Sequence, residues 1–362
     1  MRILISGGGT GGHINPGIAI ADYFKEKQPD CEILFVGTER GLERELVPKA
    51  GYNIKFIEVA GFKRKISFDT VVTVKKMFKG YSQSVKILKE FKPDAVIGTG
   101  GYVCGPLLFA ASRKGYKTFV HEQNVIPGVT VKLVSKYVDA VFTSFADTDK
   151  YMDSKNLVLS GNPVSPSLSE VDGEESRKKL GLDSRPVILA YGGSLGAPRV
   201  NDAVCEYLGK TLSKGEYQFL FATGKREYDR VREKLGVLCE CPNLQLFPFI
   251  YNMAECMSAS DIVISRAGAM TVSELAVMGK PAILIPSPNV AHNHQEHNAR
   301  SLEKIGAAKV ILESELKFET LSECIDGLLN NSEQIRVMSA NSKNSGIVNA
   351  TEIIYNTVME KL

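Results

Sequence analysis

RILISGGGTGGHINPG, residues 2–17, runs from a short apolar segment through a glycine-rich turn into a helical pattern. Strand, glycine turn and helix in that order open a βαβ unit of a doubly wound sheet. Gly7, Gly9 and Gly12 make a GxGxxG match. Read as a dinucleotide fingerprint, the match needs an acid that closes the second strand, about 20 residues on, to hold a ribose. Glu32 has that count, but it opens EILFVG, a run that closes in Gly37 and Thr38. Two other readings stand: a tight structural turn, and a turn whose backbone N–H groups grip phosphate at a helix N-terminus. Thr10 and His13 favour chemistry, since a structural turn requires neither. His13, where turn becomes helix, suits a proton acceptor for an attacking hydroxyl. It suits equally a helix-start histidine bonded to backbone.

The arrangement recurs at PVILAYGGSLGAPRVN, residues 186–201, where Pro198 fits a first helical turn because its missing N–H has no helical partner there. Around these two turns, short apolar runs alternate with helix-period segments. RILIS, EILFVG, IKFIEV, AVIGTG, TFVHEQ, AVFTSF and LVLSGNP fall in the first half; PVILAYGG, YQFLFATG, LQLFPFI, DIVISRAG, PAILIPSP and AAKVIL fall in the second. That alternation predicts parallel sheets. GNPVSPSLSEVDGEES, residues 161–176, is the linker candidate. The expected fold class is α/β: two doubly wound Rossmann-like domains, residues 1–163 and 164–343, facing a cleft. Ligands of such sheets bind outside the carboxyl ends of the strands.

The 362 residues, 44% hydrophobic and 23% charged, describe an ordinary globular chain. A formal charge of +3 gives no reason to expect nucleic acid as a partner. Seven scattered cysteines with no CxxC pair read as reduced thiols of a cytoplasmic protein. A strand directly after Met1 leaves no room for a signal peptide, and no apolar run approaches the roughly 18 residues of a spanning helix. One segment is locally basic: residues 62–92 hold nine Lys/Arg against two Asp/Glu. Val71, Val74, Phe78, Tyr81, Val85 and Leu88 form an apolar stripe flanked by Lys75, Lys79, Lys86 and Lys89. The stripe reads as a core-packed helix or as a surface for an anionic membrane. Two patterns raise metals: DTD at residues 147–149, and His294 with His297 one turn apart in HNHQEH. No acid or cysteine cluster accompanies the histidines, and the expectation is a site with no metal and no other cofactor.

GGGTGGHINPG, GTGGYVCGP, HEQNVIPG, GNPV, GGSLGAPRVN, SRAGAMTVSEL and HNHQEHNA occur in that order from residue 7 to residue 299. Together they closely resemble the MurG family, bacterial N-acetylglucosaminyltransferases of peptidoglycan synthesis. The resemblance implies a GT-B fold and an inverting transfer of N-acetylglucosamine from UDP-N-acetylglucosamine to lipid I, giving lipid II. It implies a peripheral enzyme on the inner face of the cell membrane, with residues 62–92 on the lipid.

By the same resemblance His13 borders the reacting centre and the acceptor pyrophosphate, and its chemistry makes it the expected catalytic base. Thr10, Gly11 and Gly12 border the reacting centre, with Tyr102, Glu122 and Asn124 on the acceptor side and Asn124 also near the donor sugar. On the donor side, Ser194 and the backbone of Ala269, Met270 and Thr271 lie near the diphosphate. Glu274 holds the ribose hydroxyls, Ile250 offers its backbone to uracil, and Gln295 reads the sugar hydroxyls. Asn201 supports the second turn. Ser165 takes the place where some members carry an arginine that reaches the donor, and Leu195 replaces a common glutamine. The final segment, residues 344–362, is expected to be a helix that packs back on the first domain. The other readings are a related GT-B enzyme for another lipid acceptor and a non-catalytic nucleotide-sugar binding subunit.

Overall fold

The computed structural model describes the backbone of residues 1–59 and 68–362, and the side chains of all of these except 68–76 and 166. All thirteen apolar runs are strands. β1 (Arg2–Ser6), β2 (Glu32–Gly37), β3 (Asn53–Phe56), β4 (Ala95–Gly98), β5 (Lys117–Glu122), β6 (Ala140–Thr143) and β7 (Leu157–Leu159) form one parallel sheet, in the order β3-β2-β1-β4-β5-β6-β7. β8 (Val187–Tyr191), β9 (Gln218–Ala222), β10 (Leu244–Phe247), β11 (Ile262–Ser265), β12 (Ala282–Leu284) and β13 (Ala308–Val310) form the other, ordered β10-β9-β8-β11-β12-β13.

The chain divides into two compact units, Met1–Ser165 with Asn349–Leu362, and Pro166–Val348. The crossings fall at Ser165 and Val348, against 163 and 343 from the sequence. The helix Ser332–Ser345 belongs to the second unit; the helix Ala350–Lys361 returns to the first.

The continuous apolar character of the strands follows from burial on both faces. In the first sheet, Leu4, Val96, Val120 and Val141 point into one core with Leu107 and Leu108. Their alternates Ile3, Ile5, Ile97, Phe119 and Phe142 point into a second core with Ile14, Phe24, Ile354 and Val358. Each fully buried aliphatic contributes about 1.5–3 kcal/mol of transfer free energy. The returning helix seals the second core: Tyr355 packs edge-on against Phe24 with centroids 5.0 Å apart, and its hydroxyl accepts from Gln28 Nε2 at 3.0 Å. In the second unit, Ile188, Phe219, Phe221, Ile262, Ile264 and Ile283 share a core with the helices Pro198–Thr211 and Phe318–Leu329.

Both sheets wind outward from their first strand, so the order reverses between β1 and β4 and between β8 and β11. At such reversals the connections diverge and leave a crevice above the carboxyl ends of the strands. The two glycine-rich turns lie there, one in each unit. Among the described residues no helix is long and apolar enough to cross a membrane.

Candidate active site

In the first unit the site is built from the turns after β1, β4 and β5. The turn after β1 presses against that after β4: a Cβ on Gly7 would lie 2.0 Å from Thr99 Oγ1, and one on Gly100 would lie 2.5 Å from His13 Nδ1. Gly100 also has φ +100°, which L side chains rarely adopt. Thr99 Oγ1 donates to the carbonyl of His13 at 2.7 Å, fixing the first helical turn. Thr10 is the N-cap of the helix Gly11–Lys27, yet its hydroxyl makes no cap bond; Thr10, like Gly12, is exposed.

His13 is half-buried, and Nδ1 lies 3.0 Å from Gln123 Oε1. Burial depresses its pKa below 6.5, against the opposing bonds to Gln123 and the Thr99 backbone. The imidazole is therefore neutral at neutral pH, the state a general base needs.

Two expectations change here. The first turn does not present all its backbone donors: Gly9 N–H donates to Glu43 Oε2 at 2.9 Å, and Glu43 Oε1 accepts from Thr38 N–H at 2.9 Å and Thr38 Oγ1 at 2.7 Å. Glu43 is buried, so this carboxylate braces the turn from beneath. It also sits at the end of β2 that a ribose acid would occupy, but its oxygens are spent on the turn, whereas Glu32 is exposed at the strand's start. Glu122 likewise turns inward. It accepts from Asn124 N–H (2.9 Å), Asn124 Nδ2 (3.2 Å) and Gly128 N–H (2.8 Å), and burial raises its carboxyl above the usual range. It shapes the loop that carries Asn124. Tyr102 and Ser165 are exposed.

In the second unit the helix Ala269–Met278 starts beyond β11 with no side chain capping it, and Ala269, Met270 and Thr271 form its half-buried first turn. Burial pushes the Glu274 carboxyl up to about 7. Deep in the same unit, the Tyr191 hydroxyl at the end of β8 and Ser265 Oγ at the end of β11 are buried, and burial pushes the Tyr191 phenol above its ordinary range. Ser194 and Leu195 are exposed in the turn after β8. Asn201 is buried and donates to the Thr223 carbonyl at 2.9 Å, tying the β8 and β9 loops together. The Ile250 side chain is buried just beyond β10, anchoring the backbone around it. Gln295 opens the helix His294–Lys304, and its Oε1 accepts from Ser287 N–H at 2.8 Å; the expected two-way amide is left with its donors. His292 and Asn293 just before it both have φ 52°, a left-handed conformation costing of order 1–3 kcal/mol each.

Three groups escaped the sequence reading: Glu43, Gln123 and Arg266. Arg266 pairs with Glu313 and donates to the carbonyls of Ile285 (3.1 Å) and Pro286 (3.3 Å), which stitches together the loops beyond β11, β12 and β13. The metal patterns have other occupations. Asp147 pairs with Lys150, and His294 Nδ1 lies 2.8 Å from the Ala291 carbonyl. Among the described residues no three His, Cys, Asp or Glu side chains are grouped to hold an ion.

Residues 3–143 match the glycosyltransferase family 28 N-terminal domain, and residues 187–354 match the glycosyltransferase family 28 C-terminal domain. A protein of Acetivibrio thermocellus named UDP-N-acetylglucosamine--N-acetylmuramyl-(pentapeptide) pyrophosphoryl-undecaprenol N-acetylglucosamine transferase is 51% identical, over 99% of this chain and 98% of the relative. One of the same name from Bacillus licheniformis is 44% identical, over 99% and 98%. The crystal structure of MurG from Acinetobacter baumannii superposes with a TM-score of 0.83 at 28% identity, covering 99% of each chain. UDP-GlcNAc 2-epimerase from Neisseria meningitidis, at 17% identity, TM-score 0.68 and coverage of 99% and 100%, shares the fold.

Proposed function

The chain belongs to glycosyltransferase family 28, and from that premise we propose that it transfers N-acetylglucosamine from UDP-N-acetylglucosamine to the muramyl pentapeptide of an undecaprenyl pyrophosphate, the lipid I to lipid II step of peptidoglycan synthesis. The observation that carries this reading is 44–51% identity over essentially the whole chain to transferases named for that reaction. In this reading the second unit holds the donor. The first-turn N–H groups at Ala269, Met270 and Thr271 and the glycine turn at Ser194 meet the diphosphate. Glu274 takes the ribose diol, the backbone at Ile250 takes uracil, and Gln295 donates to a sugar hydroxyl. In the first unit, Thr10, Gly11, Gly12, Tyr102 and Asn124 border the acceptor.

The reaction is one displacement with inversion. The acceptor oxygen forms its bond to the anomeric carbon as the bond to the diphosphate breaks, and the hydroxyl proton passes to His13 Nε2. A depressed pKa and an Nδ1 engaged by Gln123 support that role. Helix N-termini supply positive potential for the leaving diphosphate, so no metal is required of the site. Labelled N-acetylglucosamine supplied as its UDP donor with a lipid I analogue, in the presence of EDTA, gives labelled product. Donor binding without product would redirect the reading to another acceptor, and loss of product with EDTA would refute metal independence. His13→Ala lowers turnover about 10²–10⁴-fold with donor affinity kept; near-normal turnover removes the base assignment.

The acceptor's lipid tail requires a docking surface, which we assign to the first unit, working at the cytoplasmic face. Residues 62–67 and the side chains of Val71, Val74 and Lys75 lie outside the described residues. Beyond them the helix Phe68–Phe91 divides: Leu88 is buried, Tyr81 and Val85 pack on the core, and Phe78 is 73% exposed. Tyr81, Phe109 and Tyr137 form a chain of ring contacts at 6.1 and 5.6 Å, and Leu133 and Tyr137 are themselves exposed. Exposed aromatics beside Lys132, and beside Lys79 and Lys136 in exposed pairs with Glu58 and Asp153, are suited to an anionic interface. Phe78→Ser with Leu133→Ser reduces sedimentation with anionic vesicles; unchanged sedimentation refutes this surface.

A further inference from the structure

The bonds behind His13 fix which of its two nitrogens carries a proton. Gln123 is buried, and its amide has two ends that only one orientation satisfies. One end lies 2.8 Å from the Thr99 carbonyl, which can only accept, so that end is the Nε2 donor. The other end is then Oε1, an acceptor, and it faces His13 Nδ1 at 3.0 Å. A second chain of contacts leads to the same orientation. His121 is fully buried, and its Nε2 lies 2.9 Å from the Gly161 carbonyl, so Nε2 carries the hydrogen. Its Nδ1 is therefore the bare nitrogen of a neutral ring, and it accepts the second Gln123 N–H at 2.9 Å. Burial keeps that ring neutral, with its pKa lowered to about 4. Asn162 Nδ2 donates to the Gln123 carbonyl at 3.1 Å and holds the backbone of the relay in place.

We infer that Gln123, oriented by His121 and the Thr99 carbonyl, is a positioning residue that holds His13 as the Nδ1–H tautomer, leaving the Nε2 lone pair for the acceptor hydroxyl. Neutral imidazole in water places its proton on either nitrogen, and a base whose outward nitrogen is protonated cannot accept. An amide does this work without a charge. A carboxylate in its place would stabilise imidazolium and draw a proton onto the resting ring, whereas Gln123 selects the tautomer and leaves the ring neutral.

The inference rests on His13 being the base, so its test reads the tautomer apart from activity. The protein has five histidines, few enough for a resolved ¹⁵N-histidine spectrum. His13 is expected to show a protonated Nδ1 and a bare Nε2 in the whole enzyme, the assignment coming from the signal lost in His13→Ala. In Gln123→Met, which keeps the volume and removes the side-chain acceptor while leaving the Thr99 carbonyl near the ring, the Nε2–H form gains population. Turnover then falls by about 10²-fold or more, while the donor dissociation constant stays within about threefold. Gln123→Glu also presents an oxygen to Nδ1 and keeps that nitrogen protonated, but its charge raises the His13 pKa, so turnover returns only as pH rises. His13 found with Nε2 protonated in the wild type, or unchanged in Gln123→Met, overturns the relay. A tautomer change with no loss of turnover overturns its role in the reaction. Near-normal turnover of His13→Ala is the separate result that fails the base reading.

Discussion

The affinity of the second unit for UDP-N-acetylglucosamine should depend on pH through one carboxyl. Glu274 is pushed up to about 7 by burial alone, and in the site we propose it accepts hydrogen bonds from two ribose hydroxyls. Only the ionised form offers acceptors to both, so binding and proton loss are linked. A pKa of about 7 leaves roughly one molecule in eleven ionised at about pH 6 and ten in eleven at about pH 8. Donor affinity should therefore weaken about tenfold, or ~1.4 kcal/mol, between those two values. The nucleotide sugar suits the experiment because its diphosphate is esterified at both ends and has no proton to exchange in this range. Calorimetric titration in buffers of different ionisation enthalpy gives both the affinity and the protons released on binding, which should approach one per donor at the acid end. Glu274→Gln should bind weakly and almost equally at both pH values. The same pH dependence in Glu274→Gln, or no proton release in the wild type, would refute the assignment.

Glu43→Ala leaves Gly9 N–H, Thr38 N–H and Thr38 Oγ1 without their acceptor and should cost about 3 kcal/mol or more in denaturant unfolding. Glu43→Gln should fall between, because its amide nitrogen must meet one of those donors. Gly100→Ala puts a methyl group 2.5 Å from His13 Nδ1; turnover should drop about 10²-fold while donor binding, measured on the other unit's residues, is kept. Acid should destabilise the fold through His121. Its folded pKa is about 4 against an ordinary 6.5, so the unfolded chain takes up a proton first and stability is lost as pH falls from 6.5 towards 4. The loss amounts to roughly 3 kcal/mol, and in His121→Phe denaturation curves across that range should lose this slope.

The architecture was legible because parallel strands buried on both faces leave unbroken apolar runs, and thirteen such runs are thirteen strands. The crevices were legible too, since a glycine turn directly after the first strand of each half marks where the winding reverses. Long-range polar partnerships were hidden. Glu43 finds Gly9 across 34 residues, and Gln123 finds His13 across 110. Neither spacing has a period, and a glutamate that opens a short helix or a glutamine just past a strand reads as solvated until its partner is seen. Glu122 and Gln295 show a related limit: the residue type announced polar chemistry, but the backbone bonds that occupy one or both of their oxygens could not be read from it. Glu32 was correctly set aside, because its place at the start of β2 could be read from the run it opens.

The discontinuity of the first unit bears on how the chain is made. Residues 1–165 emerge from the ribosome long before Ala350–Lys361, with the 183 residues from 166 to 348 between them. At about 5–20 residues per second that delay is roughly 10–40 s. Throughout it the ring of Phe24 lacks Tyr355, and Ile354 and Val358 are absent from a core where both end fully buried. The intervening unit is contiguous and can complete its own core meanwhile. The nascent first sheet must then wait with an apolar groove open along the helix Gly11–Lys27, closed only when the last helix of the chain arrives.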